Sequence, residues 1–170
     1  MPEYTRREIL TGGSAVAVAA LAGCSSVGGG GGGGSTDGIT LDTYEVEGSP
    51  GTAMQVKPAG EVVLLDFWAT WCAPCKPQMK GLRAVDEQFP DVHMLSITNE
   101  EDEGAIKDFW EEYQGTWAVA SDPNLNTNDE FGVNRIPTLI VFDPDGEEVW
   151  RHTGLAATDS IVEALEEAGA

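Results

Sequence analysis

Cys72-Ala73-Pro74-Cys75 places two thiols three positions apart. Sulfurs at that spacing can bond, but the loop they close is tiny. Chain entropy makes such a bond worth only roughly 2 kcal/mol as a staple. A weak staple is suited to opening and closing, so the pair reads as a redox switch. It follows the apolar run Val62-Val63-Leu64-Leu65-Asp66-Phe67-Trp68 and leads into a helical pattern. Cys72 is therefore expected at a helix N-terminus, where free N–H groups and the helix dipole favour a thiolate. Thiolate is the form that attacks disulfides. Cys75, one turn in and more buried, suits the resolving role. Pro74 fits the first helical turn, where a missing N–H costs nothing. Asp66 is the one charge in the apolar run, either a solvated strand end or an acid with a task. Lys76 reads as a solvated charge, and His93 and His152 as bystanders.

The elements that must position these groups alternate along the chain. Strands are predicted at Ile39–Val46, Ala53–Val56, Val62–Trp68, Val92–Ile97, Trp117–Ala120 and Thr138–Phe142. Apolar residues recur at three- and four-residue steps in Pro74–Phe89, Asn99–Tyr113, Asn124–Phe131 and Asp159–Ala168, which read as helices. Thr158 is the expected cap of the last. Asp143-Pro144-Asp145-Gly146 is a turn by composition, and Glu147–Thr153 returns as its hairpin partner. Parallel βαβ units followed by a hairpin and a helix make an α/β fold, a sheet with helices on both faces.

Ahead of this domain the chain reads as an address. Arg6-Arg7 precedes a short, weakly apolar stretch from Ala15 to Ala22. That stretch is short of the roughly 20 apolar residues a membrane span needs. A positive start, an apolar middle and small residues at the end describe a secretory signal. The paired arginines resemble a twin-arginine export signal. Leu21-Ala22-Gly23-Cys24 resembles a lipobox, whose cysteine becomes the lipidated first residue of the mature chain. The expected organisation is a signal at 1–23, a lipidated Cys24 with a Gly-rich tether at 24–38, and a working domain at 39–170. The expected location is extracytoplasmic, on the outer face of the cell membrane.

Over 170 residues the chain carries 9 basic and 29 acidic side chains, a net charge of −20. Removing the signal takes two charges of each sign, so the acidity belongs to the working domain. So acidic a chain is excluded from electrostatic nucleic-acid binding, which needs Lys and Arg to displace counterions. The excess reads as a surface adapted to high salt, or as a merely acidic soluble protein. Three cysteines are too few for a disulfide-built scaffold, and the anchor uses the odd one.

Asp66-Phe67-Trp68-Ala69-Thr70-Trp71-Cys72-Ala73-Pro74-Cys75-Lys76 resembles the active-site segment of the thioredoxin superfamily, and Ile136-Pro137-Thr138 resembles its cis-proline motif. The resemblance spans about residues 39 to 170 in element order. It implies a central mixed β-sheet flanked by helices, and thiol–disulfide exchange by Cys72 and Cys75 without a cofactor or metal. It makes Asp66 a buried acid that takes the Cys75 proton. It gives Trp71, Ile136 and a cis Pro137 the substrate surface, and leaves Trp68 to packing. Cys72 and Pro137 lie 65 positions apart, leaving room for an extra helix and strand at about Glu101 to Ser121. With the anchor, that insertion resembles membrane-tethered extracytoplasmic thioredoxins, including the reductases of cytochrome c maturation. Two positions depart from the family pattern: Gln78 stands where Glu is frequent, and Lys80 where proline is usual.

Ala73-Pro74 offers no histidine to over-stabilise the Cys72 thiolate, so a reductant of protein disulfides is expected. Such a protein needs a membrane electron-relay partner. The alternatives are a disulfide-forming oxidant of the same fold and a copper-binding chaperone. The latter usually spaces its cysteines one residue further apart. A peroxiredoxin is set aside because Thr70 lies two residues before Cys72 rather than three.

Overall fold

The computed structural model describes residues 38–170. The signal at 1–23, Cys24 and nearly all of the tether lie outside the described residues.

Five strands form the central sheet. Val63–Trp68 (β5) is its middle strand, an uninterrupted buried run that needs cover on both faces. His93–Thr98 (β6) pairs parallel with β5, and Ala118–Ser121 (β7) pairs parallel with β6 at one edge. On the other side lie Thr138–Phe142 (β8), antiparallel to β5, and Glu148–Thr153 (β9), antiparallel to β8. The order is β7-β6-β5-β8-β9, the expected mixed sheet.

Alternation along β5 divides the core. Leu64 and Trp68 face one layer, which holds the buried faces of helices Cys75–Gln88 (α1), Glu103–Glu112 (α2) and Thr158–Ala168 (α4). Val63, Leu65 and Phe67 face the other, with Phe131 at the end of helix Asn126–Phe131 (α3) and with Leu41 and Val56. The expected insertion is present as α2 and β7.

Several boundaries differ from the sequence reading. Ile39–Val46 is two short strands, Thr40–Asp42 (β1) and Glu45–Val46 (β2), not one. Thr43 interrupts them by bonding through its hydroxyl to the Thr52 carbonyl at 2.8 Å, and the Tyr44 N–H donates to the Val119 carbonyl at 2.9 Å. This diversion lays the segment against β7, covering an edge that would otherwise expose unpaired backbone groups. β1 pairs with Ala53–Gln55 (β4), and β2 with the unforeseen Ser49–Pro50 (β3). Helix α2 begins at Glu103, with Asp102 accepting from the Ala105 N–H at 3.1 Å, four residues later than expected. Thr158 is the first residue of α4, and Ala157 occupies the cap position without a side-chain bond. The hairpin turn forms as expected. Asp143 accepts from the N–H groups of Asp145 and Glu147 at 3.0 and 2.9 Å, and Gly146 takes φ +83°.

Candidate active site

The cysteine pair sits at the C-terminal end of β5. Cys72 and Cys75 are joined, with S–S 1.98 Å and Cα–Cα 5.3 Å. Two backbone turns make the approach: the Cys72 N–H donates to the Ala69 carbonyl, and the Cys75 N–H to the Cys72 carbonyl, both at 3.1 Å. Helix α1 starts at Cys75 with Pro74 as its cap residue, so Cys72 lies just ahead of the helix rather than on its first turn. No side chain caps this helix and no acid occupies its first turn. Its N-terminal N–H groups and dipole therefore meet no competing anion from the helix itself. In the disulfide form both sulfurs are covered, Cys72 at 3% and Cys75 at 2% exposure, so the expected contrast in burial is absent here. Trp71, by contrast, is 73% exposed.

Asp66 is 2% exposed, on the face of β5 that α1 covers. Its Oδ2 accepts from the Ser96 hydroxyl at 2.7 Å, and Ser96 Oγ accepts from the Trp117 indole N–H at 2.8 Å. Asp66 Oδ1 is buried without a partner. Burial pushes its carboxyl up to about 7 from the ordinary 3.8, and the Ser96 bond offsets part of the rise. Such an acid holds and releases a proton near neutral pH.

The Ile136–Pro137 peptide bond is cis, as the resemblance implied. Thr138 pairs with Phe67, so this turn enters the sheet beside the end of β5. The Pro137 carbonyl accepts from the Gly154 N–H at 2.8 Å, and the Thr138 hydroxyl donates to the Arg135 carbonyl at 2.8 Å. Trp68 is a packing residue, its ring 4.5 Å from Phe109 and 5.5 Å from Trp110. Lys76 Nζ lies 5.9 Å from the centre of the Tyr113 ring. His93 opens β6 opposite Val63, at the far end of the sheet, and His152 stacks on Trp150 in β9.

Glu100 was not singled out by the sequence, being one of five successive polar residues, Asn99 to Glu103, expected to open a helix. Its carboxylate instead holds the loop before the cysteines, accepting from the Thr70 N–H at 2.7 Å and the Thr70 hydroxyl at 2.6 Å. The Thr98 hydroxyl adds a third bond at 3.2 Å, and the Glu100 carbonyl accepts from Ser121 at 2.6 Å. Glu100 thus ties the active-site loop to the inserted α2–β7 segment. Gln78 is buried, and its Oε1 accepts from the Ala156 N–H at 2.8 Å, joining α1 to the turn before α4. Ser96 and Trp117 were also missed. A serine among Met94, Leu95 and Ile97 was the available signal.

The exposed large hydrophobic residues among those described are Trp71, Leu125 and Leu155. Trp71 follows β5, Leu125 follows β7 and Leu155 follows β9, three strands that run in the same direction. All three therefore lie at the cysteine end of the sheet. Strands two apart are separated by roughly 10 Å, which sets these apolar groups across the site.

Comparison with known proteins agrees with this geometry. The chain is 28% identical over 127 residues to the thiol-disulfide oxidoreductase ResA of Halalkalibacterium halodurans, covering 73% of this chain and 72% of that protein. Against ResA of Bacillus cereus it is 30% identical over 120 residues, 69% of each. The fold is shared with MTB dsbF in its mixed oxidized and reduced forms (TM-score 0.70, 20% identity, 78% of this chain and 96% of that one). It is also shared with the exposed lipoprotein thioredoxin Etrx1 of Streptococcus pneumoniae (TM-score 0.64, 23% identity, 76% and 98%). Residues 39–166 match the Redoxin family. With most of its length in that match and its paired cysteines at the end of β5, the chain belongs to the Redoxin family.

Proposed function

We propose that this thiol–disulfide oxidoreductase works outside the cytoplasm as a reductant of protein disulfides, held to the membrane by a lipid on Cys24. The observation that carries the exchange chemistry is the Cys72–Cys75 disulfide at the strand end, ahead of an uncapped helix N-terminus and beside the exposed Trp71. The apolar residues across that end favour a polypeptide over a small polar disulfide as substrate. Extracytoplasmic placement rests on Arg6-Arg7, the short apolar stretch and Leu21-Ala22-Gly23-Cys24. The reducing direction rests on Ala73-Pro74, which places no hydrogen-bond donor side chain between the cysteines.

In this reading the Cys72 thiolate attacks one sulfur of the substrate disulfide, and the other substrate sulfur leaves as a thiolate. Asp66 takes the proton of Cys75. The Cys75 thiolate then attacks Cys72 Sγ, forming the intramolecular disulfide and releasing the second substrate sulfur. Two electrons pass to the substrate, and a membrane electron-relay protein returns two to the cysteine pair. Trp71, Ile136 and Pro137 form the surface against which the substrate lies.

The test is reduction of a disulfide-bonded protein such as insulin by the pre-reduced full chain. Stoichiometric reduction is expected, with none by Cys72→Ser and a trapped mixed disulfide with Cys75→Ser. A reduced chain that leaves the disulfides intact, while the oxidised chain forms disulfides in a reduced protein, would reverse the assigned direction.

A further inference from the structure

The bond chain Trp117–Ser96–Asp66 runs in one direction. An indole N–H can only donate. Trp117 therefore occupies the Ser96 oxygen as an acceptor, at 2.8 Å. The Ser96 hydroxyl donates its single hydrogen to Asp66 Oδ2, 2.7 Å away, the acceptor that the fold places in its reach. In a protonated carboxyl the carbonyl oxygen is the stronger acceptor, so a donor held on one oxygen favours the proton on the other. The other oxygen, Oδ1, is buried and has no partner. We propose that Ser96 and Trp117 are positioning residues that hold Asp66 Oδ2 as a fixed acceptor and so assign the exchangeable proton to Oδ1.

Three features of the fold support this assignment. Asp66 and Ser96 are directly paired across the parallel strands β5 and β6, so the bond is part of the sheet register and not a chance rotamer. Trp117 is 3% exposed and packs edge-on against Trp110, their ring centres 5.0 Å apart, which holds the indole in place. The buried residues that α1, α2, α4, β8 and the loop holding Cys72 contribute to this face are apolar apart from the cysteine pair and Gln78. The reduced cysteines are thus the titratable groups among them, and burial and the Ser96 hydroxyl are the influences on Asp66. A proton leaving Cys75 would then pass to Oδ1 of the ionised Asp66, and Ser96 keeps its bond to Oδ2 in the carboxylate and in the acid alike.

This inference rests on the proposed role of Asp66 in resolution, and two readouts keep the two ideas apart. The first is the pH dependence of substrate release from the mixed disulfide, followed by acid quench and mass measurement on the full chain. Ser96→Ala removes the donor that favours the ionised acid. Its profile should move to higher pH, with release slowed about tenfold near pH 7 and recovered at high pH. Ser96→Thr, which keeps the hydroxyl, should retain the parent profile, and Trp117→Phe should shift it in the same direction by less. The second is the infrared carbonyl band of protonated Asp66, identified by its loss in Asp66→Asn. The band should rise in frequency in Ser96→Ala, because the C=O at Oδ2 loses its donor. A Ser96→Ala band and profile identical to the parent's would overturn the proposal. So would a rate lowered equally at every pH, which marks Ser96 as merely structural. A band that moves in Ser96→Ala while Asp66→Asn leaves turnover intact sustains the positioning and instead removes Asp66 from the reaction.

Discussion

The buried acid should be visible in folding stability, independently of any catalysis. Asp66 is raised from 3.8 to about 7 in the folded chain, chiefly by burial. A raised carboxyl binds its proton more tightly folded than unfolded. Its contribution to stability is therefore full below the unfolded value, falls as pH rises, and is lost above the folded value. The full difference of about three pKa units corresponds to roughly 4 kcal/mol. By pH 5 about one unit of that is already spent, which leaves roughly 3 kcal/mol to be lost between pH 5 and pH 8.5. Asp66→Asn keeps an acceptor for Ser96 and abolishes the ionisation, so the variant should lack this loss. Urea unfolding of the oxidised full chain, disulfide intact, is the assay. With a denaturant slope of about 2 kcal/mol/M, the parent midpoint should fall about 1.5 M further than that of the variant between the two pH values. The repulsion of a −20 chain acts on both proteins and cancels in the comparison. Equal pH dependence in parent and variant would refute the reasoning and show Asp66 to be solvated in solution.

Other consequences are as specific. Alkylation against pH should find the thiolate of Cys72, in Cys75→Ser, at lower pH than that of Cys75, in Cys72→Ser, because the uncapped end of α1 faces the former; equal profiles would cancel the assigned roles. Glu100→Gln gives up one of the charge-assisted bonds to Thr70, worth about 1.5–3 kcal/mol. It should speed exchange of the Thr70 amide by about tenfold or more, and an unchanged rate would show that Glu100 does not hold the loop. Cys24→Ser should release the protein from membranes while disulfide reduction by the soluble chain continues; a variant that stays bound, its signal uncleaved, would replace the lipid with an uncleaved N-terminal anchor.

Much of the scaffold was legible because burial leaves a mark on single strands. Val62–Trp68 apart from Asp66, and Thr138–Phe142 after its opening threonine, are apolar, and the structure buries them on both faces. The cysteine pair marked the site by its spacing, Asp66 by standing alone in an apolar run, and Ile136-Pro137 through the family resemblance. What was not legible depends on contacts between distant residues. Thr43 leaves its strand to bond Thr52, and no local periodicity announces that break. Glu100 lies among acids that read as the solvated start of a helix, and only the folded chain brings Thr70 to it. Ser96 is a polar residue in a buried strand whose role appears only with Asp66 opposite and Trp117 behind it. The alternation of β5 could place Asp66 under α1, but not name the donor that meets it.

The central claim is that Cys72 and Cys75 form a reducing couple, and the reduction potential of the pair tests it most directly. The full chain would be equilibrated in defined thiol–disulfide buffers, quenched with acid, and its oxidised fraction read by mass after alkylation. A chain with no donor side chain between its cysteines should fall towards the reducing end, near the roughly −270 mV of thioredoxin. A value near the roughly −120 mV of a strong disulfide-forming oxidant would contradict the account and make this chain a donor of disulfides rather than of electrons.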